Sequence, residues 1–152
     1  MAETRDSQVA DTIINQAADA IIFADSKGII RQWNAAAEAV FGFTAEEALG
    51  QGLDLIIPER LRQTHWTAFD RAIESGVTKL GGKATLTRGL HKSKPKLYVD
   101  MSFAVVRNAS GTIVGAVADA RDVTTKFEEQ KELRQRLTEC QRKLPEREAP
   151  AR

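Results

Sequence analysis

The chain has little of what staples a small protein together. A single cysteine, Cys140, allows no internal disulfide. One cysteine and two histidines, His65 and His91, are too few for a closed structural zinc site. The 22 basic and 21 acidic side chains leave a net charge of +1, which argues against a nucleic-acid-binding domain. No hydrophobic run is long enough to span a bilayer, and the polar start Met-Ala-Glu-Thr-Arg-Asp-Ser lacks the apolar stretch of a secretion signal. Together with the lone thiol, these features make the cytoplasm the expected compartment, with no membrane or nucleic-acid partner. Catalytic signatures are missing too. Gly81-Gly82-Lys83-Ala84 lacks the Gly-Lys-Ser/Thr ending of a phosphate-binding loop, and no Gly-x-Ser-x-Gly or His-Glu-x-x-His occurs. No acid, base and nucleophile form a set, so no enzymatic activity is expected.

What is present is a core-forming composition, 42% hydrophobic and 28% charged over 152 residues, enough for one domain with helical extensions. Residues 1–7 are polar and expected to fray. Ser7 then reads as the cap of a short amphipathic helix whose stripe is Val9, Ile13, Ile14 and Ala17. Ala20–Ala24 and Ile29–Trp33 read as two strands joined by the turn Asp25-Ser-Lys-Gly28. Asn34 caps a helix over Ala35–Phe41 that Gly42 stops, and Thr44-Ala-Glu-Glu47 is a capping box opening another. The longest core helix runs from Pro58 to Ser75, with Gly76 at its end. His65 falls on its apolar stripe, four residues after Leu61 and four before Phe69.

Three strands follow, over Lys79–Arg88, Lys96–Arg107 and Thr112–Ala120. Leu97, Val99, Met101, Phe103 and Val105 share one face of the longest. The basic loop Gly89–Pro95 carries His91, read as a surface residue. Glu38, Glu46 and Glu47 read as solvated helix faces. From Thr124 to Lys143 the chain is helical, and Gln130, Leu133, Leu137, Cys140 and Leu144 form a coiled-coil seam that Pro145 ends. The order predicts an α+β fold: one five-stranded antiparallel sheet with short helices on one face, enclosing a cavity. The divisions are an N-terminal flanking helix (1–17), a globular domain (18–125), a C-terminal signalling or dimerisation helix (126–145) and an unstructured tail (146–152).

Asp25-Ser-Lys-Gly-Ile-Ile30, Trp33-Asn-Ala-Ala, Phe41-Gly-Phe-Thr-Ala-Glu-Glu47, Gly50, Pro58-Glu59 and Arg121-Asp122-Val-Thr124 occur in an order that resembles PAS sensory domains over roughly residues 18–125. The stretch Trp33–Ser102 is most similar to the haem-bearing PAS domains of FixL-type oxygen sensors. That resemblance implies haem b as cofactor and His65 as its iron ligand. Met101 and Phe103 would line the gas side, with Met101 able to serve as a sixth ligand, and Leu80 would be another pocket residue. Thr85 stands where those sensors carry the arginine that hydrogen-bonds oxygen. Flavin photosensors of the same family need a core cysteine, and Cys140 lies outside the core. The resemblance further implies a signal-transduction role, a homodimer through the flanking helices and a histidine kinase or other signalling protein as partner. The alternative is a PAS domain without haem, holding an organic metabolite or acting as an interaction module. On residue type alone, His65 also reads as a half-buried histidine bonded to a neighbouring loop, and Met101, Phe103 and Leu80 as core. Cys140 reads as a small apolar filler.

Overall fold

The computed structural model describes residues 2–144, with side chains from residue 6. Helix α1 (Ala2–Gln16) leads into β1 (Ala20–Asp25) and β2 (Ile30–Trp33). Three short helical pieces follow: α2 (Ala35–Phe41), α3 (Ala45–Ala48) and a 3-10 turn (Leu53–Leu55). Then come α4 (Glu59–Ser75), β3 (Thr85–Gly89), β4 (Leu97–Arg107), β5 (Ile113–Asp122) and α5 (Thr124–Lys143). The strands form one antiparallel sheet in the order β2-β1-β5-β4-β3.

Period-two alternation decides which side of the sheet is covered. Ala20, Ile22 and Ala24 on β1, Leu97, Val99 and Met101 on β4, and Ala118 and Ala120 on β5 are buried, and they pack with Trp33, Ala37, Phe41, Ile56 and Phe69. The register puts Ala120 opposite Met101 and Ala118 opposite Phe103. The inner sheet face is therefore bulky along β4 and thin along β1 and β5.

Local signals build the helical layer. The Asn34 side chain accepts from the Ala37 amide, and Gly42 closes α2 in the left-handed conformation. Thr44 and Glu47 form the reciprocal capping box that starts α3. The β1–β2 turn is held to α4 by a close approach. Gly28 has φ of 76°, and a Cβ there would lie 2.2 Å from the Trp66 ring. The Trp66 indole donates to Asp54 Oδ1 at 2.8 Å, fixing α4 to the 3-10 turn.

Several expectations need correction. Helix α1 does not begin at Ser7, which lies within it; residues 2–6 contain no Gly or Pro and continue the helix. The strand expected from Lys79 begins only at Thr85, because Gly81 and Gly82, at φ of 56° and 80°, turn the chain before it can extend. His91 is half-buried rather than a surface residue. Its ring rests on Gly42, and its Nδ1 accepts from the Ser93 and Lys94 amides, both at 3.0 Å. Nor are Glu38 and Glu47 merely solvated: Glu38 accepts from the Ala45 amide at 2.6 Å, and Glu47 pairs with Lys92. Along α5 the apolar seam is exposed, as is Cys140, which therefore fills no space here. The expected stop at Pro145 and the tail 146–152 lie outside the described residues.

Candidate functional site

The thin part of the sheet face leaves a space beneath the helical layer. A cavity of about 270 Å³ lies between the inner sheet face and α4 with the 3-10 turn. Ala24, Ala116 and Ala118 form its shallow sheet wall. Ile56, Ile57, Leu61 and Phe69 hold α4 away from that wall. The cavity reaches the surface where Thr64 and Ala68 of α4 face Thr85 of β3, all three exposed.

His65 enters this cavity from α4. Its ring lies between aromatic neighbours, stacked on Phe69 at 6.1 Å between centroids and edge-on to Trp66 at 5.4 Å. Neither ring nitrogen is hydrogen-bonded to a described residue, and Nδ1 is buried without a partner. The expected bond to a neighbouring loop or backbone group is therefore not made by a described residue. Burial pushes the imidazole below its ordinary pKa, while the charges of Asp54 and Asp70 oppose the shift. The neutral ring keeps an available lone pair at pH 7.

Met101 is buried in the cavity wall, and Phe103 beside it is half-buried. Thr85 pairs with Met101 across the sheet, which puts its hydroxyl on the inner face near the mouth. The structure thus brings His65, Met101, Phe103 and Thr85 to one cavity. Leu80 is not with them. It lies in the turn before β3, 45% exposed, and lines no part of the space. The residues that make the room, Ala24, Ala116 and Ala118, were not singled out from sequence, although the alternation Ala116, Ala118, Ala120 on one strand face was there to be read. Thr87, half-buried in the same wall, was also missed.

One strand links the cavity to the exit helix. Tyr98, on the β4 strand that carries Met101, donates its amide to Thr124 Oγ1 at 2.9 Å and stacks on Phe127 at 4.0 Å. Asp122 accepts from the Thr124 amide and hydroxyl at 2.9 and 2.6 Å. The start of α5 is thereby bonded to the strand that forms the cavity wall.

The architecture is a five-stranded antiparallel sheet covered on one face by short helices and one longer helix, around a small apolar chamber. The sequence matches the PAS family, described as the PAS fold, over residues 10–123, and the chain belongs to that family. It is 28% identical over 133 residues to the sensor protein FixL of Bradyrhizobium diazoefficiens, covering 88% of this chain and 25% of that protein. The PAS domain of a Colwellia psychrerythraea protein superposes with a TM-score of 0.67 at 23% identity, over 78% of this chain and 98% of that one. A PAS domain from a two-component sensor histidine kinase gives 0.62 at 17% identity, over 79% and 98%. The chain spans a quarter or less of the length of the curated relatives it matches. It is a PAS sensory domain, a signal-transduction module. Among the described residues no helix is long and apolar enough to cross a membrane.

Proposed function

We propose that this module takes a small, largely apolar ligand into the cavity beneath the sheet, with haem b as that ligand and His65 as the residue that holds its iron. The observation that carries the reading is His65 itself: an imidazole inside a largely apolar cavity, its Nδ1 buried with no partner among the described residues. An unpaired buried nitrogen is costly unless something in the cavity answers it, and imidazole is a common ligand for haem iron. The donor set suits haem iron, while the cavity as it stands, about 270 Å³, is smaller than the whole porphyrin and must widen to take it. His65 would hold it, and Met101 and Phe103 would border it, Met101 with a thioether able to bind ferrous iron. When bound, haem would supply a redox-active or gas-binding iron. This chain's residues would orient the group and surround it with largely apolar walls. No catalytic role is assigned to the chain.

Signalling would follow from a population shift. A ligand that favours one arrangement of α4 and β4 biases the Tyr98–Thr124 attachment, and with it the direction of α5. Exposed apolar stripes on the flanking helices, Val9 and Ile13 on α1 and Leu133 and Leu137 on α5, support a homodimer built through them. A histidine kinase or another signalling protein is the proposed partner, in a reducing cytoplasm where Cys140 stays a thiol.

A second reading rests on volume. At about 270 Å³ the cavity lies just below the range of about 300–1,000 Å³ usual for ligand sites, which suits a compact metabolite. Thr85 in place of the arginine also removes one contact that the resemblance implied. Hemin titration followed by absorption spectra, oxidised, reduced and with carbon monoxide, separates the readings. A Soret band that His65→Ala abolishes supports haem. Its absence from the wild-type chain, with an organic molecule retained in native mass spectrometry, supports the metabolite. A clean apoprotein leaves the interaction role.

A further inference from the structure

We propose that Thr87 is a specificity-determining residue of the cavity, its hydroxyl donating to an acceptor oxygen on the bound molecule. The inference rests on the reading of this cavity as a ligand site. It adds the ligand's chemistry: an apolar or aromatic body carrying an acceptor such as a carbonyl or carboxylate, a class to which haem belongs.

The polar side chains among the lining residues are Thr64, His65, Thr85, Thr87 and Arg88. The Arg88 guanidinium is engaged elsewhere. It donates to the Pro95 carbonyl at 3.2 Å and to the Tyr98 hydroxyl at 3.5 Å, and it lies 5.0 Å over the Tyr98 ring. Thr64 and Thr85 are exposed at the mouth, where water satisfies them. Thr87 is different. Along β3 the inward positions pass from exposed Thr85 through half-buried Thr87 to buried Gly89, opposite Met101, Val99 and Leu97 in turn. The Thr87 hydroxyl therefore sits at mid-depth, on the sheet wall, while His65 projects from the helical wall.

No described residue bonds that hydroxyl. Other threonines are committed within the fold: Thr12, Thr67 and Thr138 to the preceding helical turn, Thr44 to its cap and Thr124 to Tyr98. The hydroxyl is half-buried, not sealed from water. A ligand that displaces that water without offering an acceptor leaves the oxygen unpaired among apolar groups, which costs free energy, whereas one that offers a carbonyl or carboxylate does not.

Two probes of near-identical shape test this on the full chain: acetophenone, which carries a carbonyl, and α-methylstyrene, which does not. The wild-type chain is expected to bind acetophenone about tenfold more tightly, Thr87→Val to bring the two to parity, and Thr87→Ser to restore the preference. His65→Ala should abolish hemin binding and keep the ketone preference, which separates the two groups. Should Thr87→Val fail to fold, Thr87→Ala must lose the preference in its place. Equal binding of the two probes by the wild-type chain, or a preference that survives removal of the hydroxyl, overturns this inference and leaves the haem reading intact. A wild-type chain that binds neither probe overturns this inference, and one that also binds no hemin and retains no organic molecule in native mass spectrometry overturns the cavity reading with it.

Discussion

The Asn34 side chain donates from Nδ2 to the carbonyl of Ile14 at 2.9 Å, tying the last turn of α1 to the junction between β2 and α2. Asn34 is fully buried, and its amide makes three more bonds. Nδ2 also donates to the Asp19 carbonyl at 3.0 Å, and Oδ1 accepts from the Ile21 and Ala37 amides, both at 2.9 Å. One side chain thus joins the flanking helix, the first strand and the first core helix.

Removing it should be severe. Asn34→Ala strips a helix cap and leaves buried amides and carbonyls unpaired, for an expected loss of about 3 kcal/mol. Asn34→Asp keeps the cap but turns the donor into an acceptor facing two carbonyl oxygens, so it should rescue little. Urea unfolding of the three proteins checks both. An Asn34→Ala variant within about 0.5 kcal/mol of wild type would show that this network carries no stability.

Gly28→Ala should be nearly as damaging, for a different reason. The residue needs φ of 76°, and its Cβ would enter the Trp66 ring at 2.2 Å. Backbone strain and overpacking together predict a loss of about 2–4 kcal/mol. Trp66→Leu in the same chain relieves the clash, so the double variant should recover part of that loss. Simple additivity of the two substitutions would show that the contact does not matter.

Both histidines should make the fold weaken in acid. Burial lowers the pKa of His65; for His91, burial is again the larger cause and the charge of Lys94 adds to it. Each group's folded pKa lies below its unfolded value. Their contribution is therefore complete above the ordinary imidazole range and is lost as pH falls through the folded values. For His91 the structural cost is visible: a proton on Nδ1 removes the acceptor that holds the Ser93 and Lys94 amides. Denaturant midpoints measured between pH 7.5 and pH 5 should fall for the wild type and less steeply for His65→Leu with His91→Gln. Parallel curves would exclude both residues as the source.

Local rules made much of this fold legible. The Asn34 and Thr44 caps, the Gly42 and Gly76 stops and the bounds of α5, Thr124–Lys143, each depend on residues within one helical turn of one another. His91 was misread because its burial depends on Gly42, far away in the chain, leaving room for a ring. Leu80 was misplaced because two glycines outweigh an otherwise strand-like run. The cavity is harder still. It is a deficit of volume shared by alanines on β1 and β5, and only the register that puts Ala118 opposite Phe103 shows that they face one space.

The exposed stripe of α5 predicts an assembly. Leu133 and Leu137 are 67% and 58% exposed and stand four residues apart, so a partner helix is needed to cover them. Sedimentation equilibrium of the wild-type chain should show a dimer, and Leu133→Glu with Leu137→Glu a monomer of unchanged helical content outside α5. A monomeric wild type would remove the homodimer and leave the stripe to a different partner.

Ala118 offers the most direct test of the chamber itself. Its side chain is buried, lines the cavity and stands opposite Ile22 and Phe103 in the two neighbouring strands. If the space beneath it is open, Ala118→Leu adds apolar atoms where nothing has to move. Burying them should leave the apoprotein unchanged or up to about 2 kcal/mol more stable. The same side chain occupies ligand volume, so hemin and the aromatic probes should bind at least about tenfold more weakly, and any thermal stabilisation by them should vanish. Were the sheet and α4 already in contact there, the larger residue would overpack the core and cost about 1–3 kcal/mol. A destabilised Ala118→Leu chain that still binds hemin like the wild type would mean that the ligand lies elsewhere, and the sensor reading of this cavity would fail.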